Sequence, residues 1–102
     1  MNNDNAYDLR GASVSSLSIN QTAAETSSDL SEGQYLIRSD VECGFKYTSS
    51  PATTGLTFAN GIRILANTAW NGPFKLKEGD RIAGITDTGG SGTLYYLKLQ
   101  EY

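Results

Sequence analysis

The chain has no histidine and a single cysteine, so it lacks the residues for His-based catalytic triads, the usual His/Cys zinc clusters or an internal disulfide framework. Positive charge is sparse: eight lysines and arginines are scattered along the sequence against eleven acidic residues. The net charge of −3 therefore forms no basic footprint for nucleic acid or an anionic membrane. No apolar run approaches the ~20 residues of a membrane helix, and the N-terminus lacks the basic-then-apolar layout of a signal peptide. These features predict a product made and folded in a reducing cytoplasm. Proline occurs twice, and no long stretch carries helical periodicity.

What is present is a strand and turn vocabulary. Serine and threonine are abundant, glycine numbers eleven and tyrosine six, a composition that suits β-structure with a modest core. At 102 residues the chain is expected to form one domain. The clearest signals lie between Pro73 and Tyr102. Phe74 and Leu76 alternate with Lys75 and Lys77, Glu78-Gly79-Asp80 makes a turn, Arg81 to Ile85 is a short buried run, and Gly89-Gly90-Ser91-Gly92 turns into a final strand from Thr93 to Leu99. The local pattern predicts an antiparallel meander. The glycine run lacks the Lys-Ser/Thr of a phosphate loop and precedes no helix, so it reads as a turn.

Upstream, Val14, Leu17 and Ile19 alternate imperfectly with serines, which predicts a strand over 12–19 with a bulge near Ser15-Ser16. Residues 20–33 favour a loop over a helix, since Thr22, Thr26, Ser27, Ser28 and Asp29 prefer caps and turns. From Gln34 to Tyr47 apolar residues recur at every second position, broken by a bend at Ser39-Asp40, which predicts two strands meeting at a kink. Cys43 lies in phase with Val41 and Phe45 and is expected to be a buried, unreactive thiol. Residues 48–55 read as a surface loop, and Asn60-Gly61 between two apolar segments predicts a hairpin over 56–66 with a type I′ turn.

Counted together, these segments predict an all-β domain over 12–102, a single small antiparallel β-sandwich, jelly-roll-like, of seven to eight short strands. It is preceded by an extended polar arm over 1–11, where Tyr7 and Leu9 are the only candidate anchors. No carboxylate pair, metal-ligand set or nucleophile arrangement rises above its neighbours. The expectation is a non-enzymatic protein with no cofactor and no metal. Trp70 has two readings, partial core burial with its indole N–H bonded to a carbonyl, or an exposed contact residue.

Leu30-Ser31-Glu32-Gly33-Gln34-Tyr35, Asp40-Val41-Glu42-Cys43-Gly44-Phe45, the Ser50-Pro51-Ala52-Thr53-Thr54 loop, Leu76 through Ile85 and Gly92-Thr93-Leu94 together form a spacing of turn and core residues over 12–100. This spacing resembles a type of small tailed-phage virion protein. The resemblance implies a single β-sandwich module that decorates or cements a capsid, builds a head fibre or serves as a tail adaptor. It implies partners among virion proteins, the major capsid protein above all, and self-association, with a trimer favoured. The implied location is the virion, on the capsid surface. The alternative is a tail or fibre module that adapts other tail proteins or binds a host glycan. Tyr7, Leu9, Trp70, Tyr95 and Tyr96 are the candidate contact residues, with Tyr47 a further aromatic for a sugar ring.

Overall fold

A computed structural model describes the backbone of residues 7–8 and 13–101 and the side chains of residues 13–100. The strands are β1 (Tyr7–Asp8), β2 (Val14–Asn20), β3 (Ala24–Glu25), β4 (Gly33–Ser39), β5 (Cys43–Ser49), β6 (Ile62–Ile64), β7 (Asn71–Leu76), β8 (Asp80–Thr86), β9 (Ser91–Lys98) and β10 (Gln100–Glu101). Eight of them form two antiparallel four-stranded sheets, in the orders β2-β9-β4-β7 and β3-β8-β5-β6. This order, in which the first and last of the eight are neighbours in one sheet and the second and seventh in the other, is that of a jelly-roll sandwich. The remaining pair, β1 and β10, are antiparallel with Tyr7 opposite Glu101, so part of the polar arm runs beside the chain's own C-terminus.

The core follows from the pleat. Successive side chains along a strand point to opposite faces, so the two apolar sets of facing sheets meet between them. Tyr35 and Ile37 of β4, Cys43 and Phe45 of β5, Ile82 of β8 and Leu94 of β9 are all buried in one cluster, joined by Ile19, Ile64 and Leu76. Phe45 is at its centre, meeting Phe74 edge-on with ring centroids 5.0 Å apart and an interplanar angle of 78°. Cys43 is fully buried as expected, and burial pushes its thiol up from the usual range. A thiol reagent is therefore expected to leave the native protein unmodified and to react once denaturant is added; prompt native labelling would put β5 out of phase by one residue.

The bend at Ser39-Asp40 separates β4 from β5, as the alternation predicts, and carries the chain from one sheet to the other. Its polar groups are satisfied locally. The Ser39 hydroxyl donates to the Thr93 carbonyl at 3.2 Å and accepts from the Val41 N–H at 3.2 Å, while the Asp40 carboxylate accepts the Thr93 N–H at 2.7 Å.

Three expectations are corrected. The C-terminal strands are not a meander, because β7 and β9 lie in one sheet and β8 in the other. Local alternation identifies a strand but says nothing of which neighbour it hydrogen-bonds, and here each turn crosses between layers. Second, β2 has no bulge: its register with β9 runs unbroken from Val14 opposite Leu97 to Asn20 opposite Ser91. Val14 therefore falls on the outer face, where it is 57% exposed. Third, there is no 56–66 hairpin. β6 pairs with β5, and neither Asn60 nor Gly61 adopts the positive φ of a type I′ turn. The Asn60 side chain instead closes its own loop, accepting the Thr57 N–H at 2.8 Å and donating to the Gly55 carbonyl at 2.8 Å. Gly61 is needed for close approach, since a Cβ there would sit 2.9 Å from the Gly44 backbone.

Gly79 does take the positive φ its turn requires, +90°. The turn is closed by the Asp80 N–H on the Lys77 carbonyl at 3.0 Å and by the Lys77 N–H on the Asp80 carboxylate at 2.9 Å. Nothing lies within 4 Å of the position a Cβ would take, so the penalty of a side chain is purely conformational. Gly79→Val is expected to lower stability by about 1–2 kcal/mol in denaturant titration, and an unchanged midpoint would show that the turn is not required.

Candidate functional site

A two-layer sandwich has two outer faces, and in this protein they differ. Over the β3-β8-β5-β6 sheet lies the 50–61 segment. Ala52 and Leu56 pack on Ala83 of β8, with Ala23 and Ile85 beside them. Gly44 makes this possible, because a Cβ there would come within 3.0 Å of the Phe58 carbonyl oxygen. One carboxylate anchors the start of the segment, and further along Lys46 Nζ donates to the Thr54 carbonyl at 2.7 Å and Arg63 Nη2 to the Phe58 carbonyl at 3.3 Å. Glu25 Oε1 accepts the Ala52 N–H at 2.6 Å and the Thr53 N–H at 3.3 Å, and Oε2 accepts the Ser50 hydroxyl at 2.9 Å and Arg81 Nη1 at 3.0 Å. Arg81 in turn donates from Nε to Asp29 at 2.8 Å. The Ser50 hydrogen bond is the largest influence holding the Glu25 carboxyl below its ordinary range, with the Ala52, Thr53 and Arg81 bonds adding to it. Hydrogen bonding to Asp29 likewise raises the Arg81 guanidinium. The 48–55 stretch that reads as a surface loop is therefore the lid of a second small core.

The outer face of the β2-β9-β4-β7 sheet carries no such cover among the described residues. The register builds it in rows. Val14, Leu97 and Leu36 lie side by side across β2, β9 and β4, followed by Ser16, Tyr95 and Arg38. Leu97 is nearly covered, whereas Leu36 and Tyr95 are half-buried. Trp70, just before β7, stands against this row with the Arg38 guanidinium 5.8 Å from its ring centroid, within the range of a cation–π contact. Arg38 Nε is buried and has no hydrogen-bond partner among the described residues. Native proteins leave few buried donors in that condition, and leaving one costs about 1–3 kcal/mol, so such a donor marks a place where an acceptor is needed.

The candidate contact residues separate on this geometry. Trp70 and Tyr95 come together around Arg38 on the outer face of the β2-β9-β4-β7 sheet. Trp70 meets neither sequence reading in full, being half-buried against Arg38 rather than in the core. Tyr96, one residue from Tyr95, points the other way and packs on the main core, and Tyr47 stacks with Phe45 inside the sandwich. The Tyr7 backbone lies in β1, and Leu9 lies outside the described residues. Sequence reading missed Arg38, Leu36 and Val14. Leu36 and Leu97 carried a usable signal: each is apolar at a position out of phase with the core-facing set of its strand, which implies a second apolar surface.

Among the described residues, no group of three or more acidic or cysteine side chains is placed to hold a metal ion. No protein-family model matches the chain, and neither a curated protein nor a solved structure matches it.

Proposed function

We propose that this protein is a non-enzymatic structural subunit of a phage virion that docks through the outer face of its β2-β9-β4-β7 sheet onto another virion protein, the major capsid protein in the first instance, and also associates with itself. The observation that carries the reading is the contrast between the two outer faces. One is closed by the chain's own 50–61 segment, anchored by Glu25, and the other presents Val14, Leu36, Tyr95 and Trp70 around a buried guanidinium nitrogen that has no acceptor among the described residues. Aromatic residues and arginine at the centre of an apolar patch are the composition of protein-binding hot spots. The jelly-roll topology supports the reading by analogy only, as the same architecture builds capsid proteins, lectins and enzymes.

The second reading is a tail or fibre module that binds a host glycan. It is favoured by Trp70 and Tyr95 sharing one face, since aromatic rings are the natural stacking surface for sugars. Electron microscopy of particles made with and without the protein separates the two. Loss of surface density with adsorption intact supports capsid decoration, loss of adsorption supports glycan recognition, and particles unchanged in both respects would rule out either role.

A further inference from the structure

The two sheets end in four edge strands, and three of them are blunted. β3 has two residues; β6 has three, with Arg63 paired to Glu42 at 2.8 Å; β7 carries Pro73 and Lys75 and pairs irregularly with β4. Short length, charge, proline and irregular register are the devices by which sheet edges avoid pairing with other chains. β2 has none of them. It runs seven residues without a register shift, and Ser15, Ser16 and Ser18 are exposed. The sequence holds no charged residue between Arg10 and Glu25. Along its open side β2 makes no ladder with any other described strand.

We infer that the β2 edge is a self-association surface, on which a second copy of this chain adds its own β2 antiparallel to make one eight-stranded sheet. The partner is argued from self-complementarity. With Leu17 opposite Leu17 of the other copy, Ser16 meets Ser18, Ser15 meets Ile19 and Val14 meets Asn20, so no like charges face each other at any position. β6 and β7 would bring arginine or lysine toward its own copy. Leu17, half-buried at the rim of the core, becomes covered. An isologous strand pair closes at two copies, so this contact makes a dimer and not the trimer that the phage resemblance implies. The pairing also sets the two outer faces side by side on one surface, although it rests on the edge alone and not on what that face binds.

The test is sedimentation equilibrium of the full chain over a concentration series. The expected mass rises from 11.0 kDa to about twice that value. Ser16→Lys/Ser18→Lys places like charges opposite one another across the pair and is expected to remain at monomer mass with an unchanged thermal melt; the same holds for Ser16→Glu/Ser18→Glu. Mixing the two variants restores the dimer through opposite charges. Wild-type protein that stays monomeric throughout, a lysine variant that dimerises as well as wild type, or a mixture that stays monomeric overturns the inference.

Discussion

Phe45→Ala is expected to leave the protein largely unfolded well below the melting temperature of the wild type. Phe45 is fully buried and is the largest such side chain, and its ring touches those of Tyr47 and Phe74. Truncating a buried phenylalanine costs about 3–5 kcal/mol, because the transfer energy of the ring is lost and the cavity collapses only in part. The surroundings here have little room to collapse, since β5 is held by β8 on one side and β6 on the other. Against a total stability of about 5–15 kcal/mol for a domain, a loss of that size is a large share. Each kcal/mol moves the midpoint of a domain this small by roughly 4–8 °C. Thermal melting followed by circular dichroism measures the shift, and a fall of only about 5 °C would mean that the two sheets do not meet at Phe45.

Glu25→Gln is expected to loosen the start of the 50–61 segment, from Ser50 to Thr53, while leaving the sandwich folded. A carboxylate offers two acceptor oxygens and uses both here, one on the Ala52 and Thr53 amides and the other on Ser50 and Arg81. The amide of glutamine offers one, so either the loop or Arg81 loses its acceptor. Amide hydrogen exchange at Ala52 and Thr53 should accelerate by roughly tenfold or more, with the amides of β9 unaffected. Acid should reproduce the effect in the wild type. The Glu25 pKa is lowered in the fold, so its contribution is complete above the ordinary glutamate value of about 4.3 and is lost as pH falls through the lower folded value. The glutamine variant should show no such acid step at the loop. Equal protection in variant and wild type would mean that apolar packing of Ala52 and Leu56, with the Lys46 bond to the Thr54 carbonyl, holds the segment without Glu25.

The features legible in the sequence were those encoded by neighbours in the chain. The alternation from Tyr35 to Tyr47 gave two strands and the phase of Cys43, and Glu78-Gly79-Asp80 gave a turn with a glycine at positive φ. Partner choice was not encoded that way. β8 and β9 were recognisable as strands, yet their assignment to opposite sheets depends on contacts with β5 and β2, far away in sequence. Asn60-Gly61 illustrates the limit. The dipeptide permits a tight hairpin, but burial of Leu56 on Ala83 and close approach of Gly61 to Gly44 outweigh that local preference. For the candidate site, Trp70 and Tyr95 were legible as large amphipathic side chains, whereas Arg38 was not. Its significance lies in a buried nitrogen with no acceptor among the described residues and in its place opposite Tyr95, neither of which spacing reveals.

We propose that the outer face of the β2-β9-β4-β7 sheet, which has no cover among the described residues, binds a virion protein, and the most direct measurement is the occupancy of surface variants on assembled particles. Tyr95→Lys puts a charge in the middle of that face, while Thr57→Lys puts the same charge on the exposed segment over the opposite sheet. Both should melt like the wild type in isolation. The proposed function predicts that Thr57→Lys reaches wild-type occupancy and that Tyr95→Lys is lost from the particles; full occupancy by Tyr95→Lys, or equal loss of both variants, would contradict it.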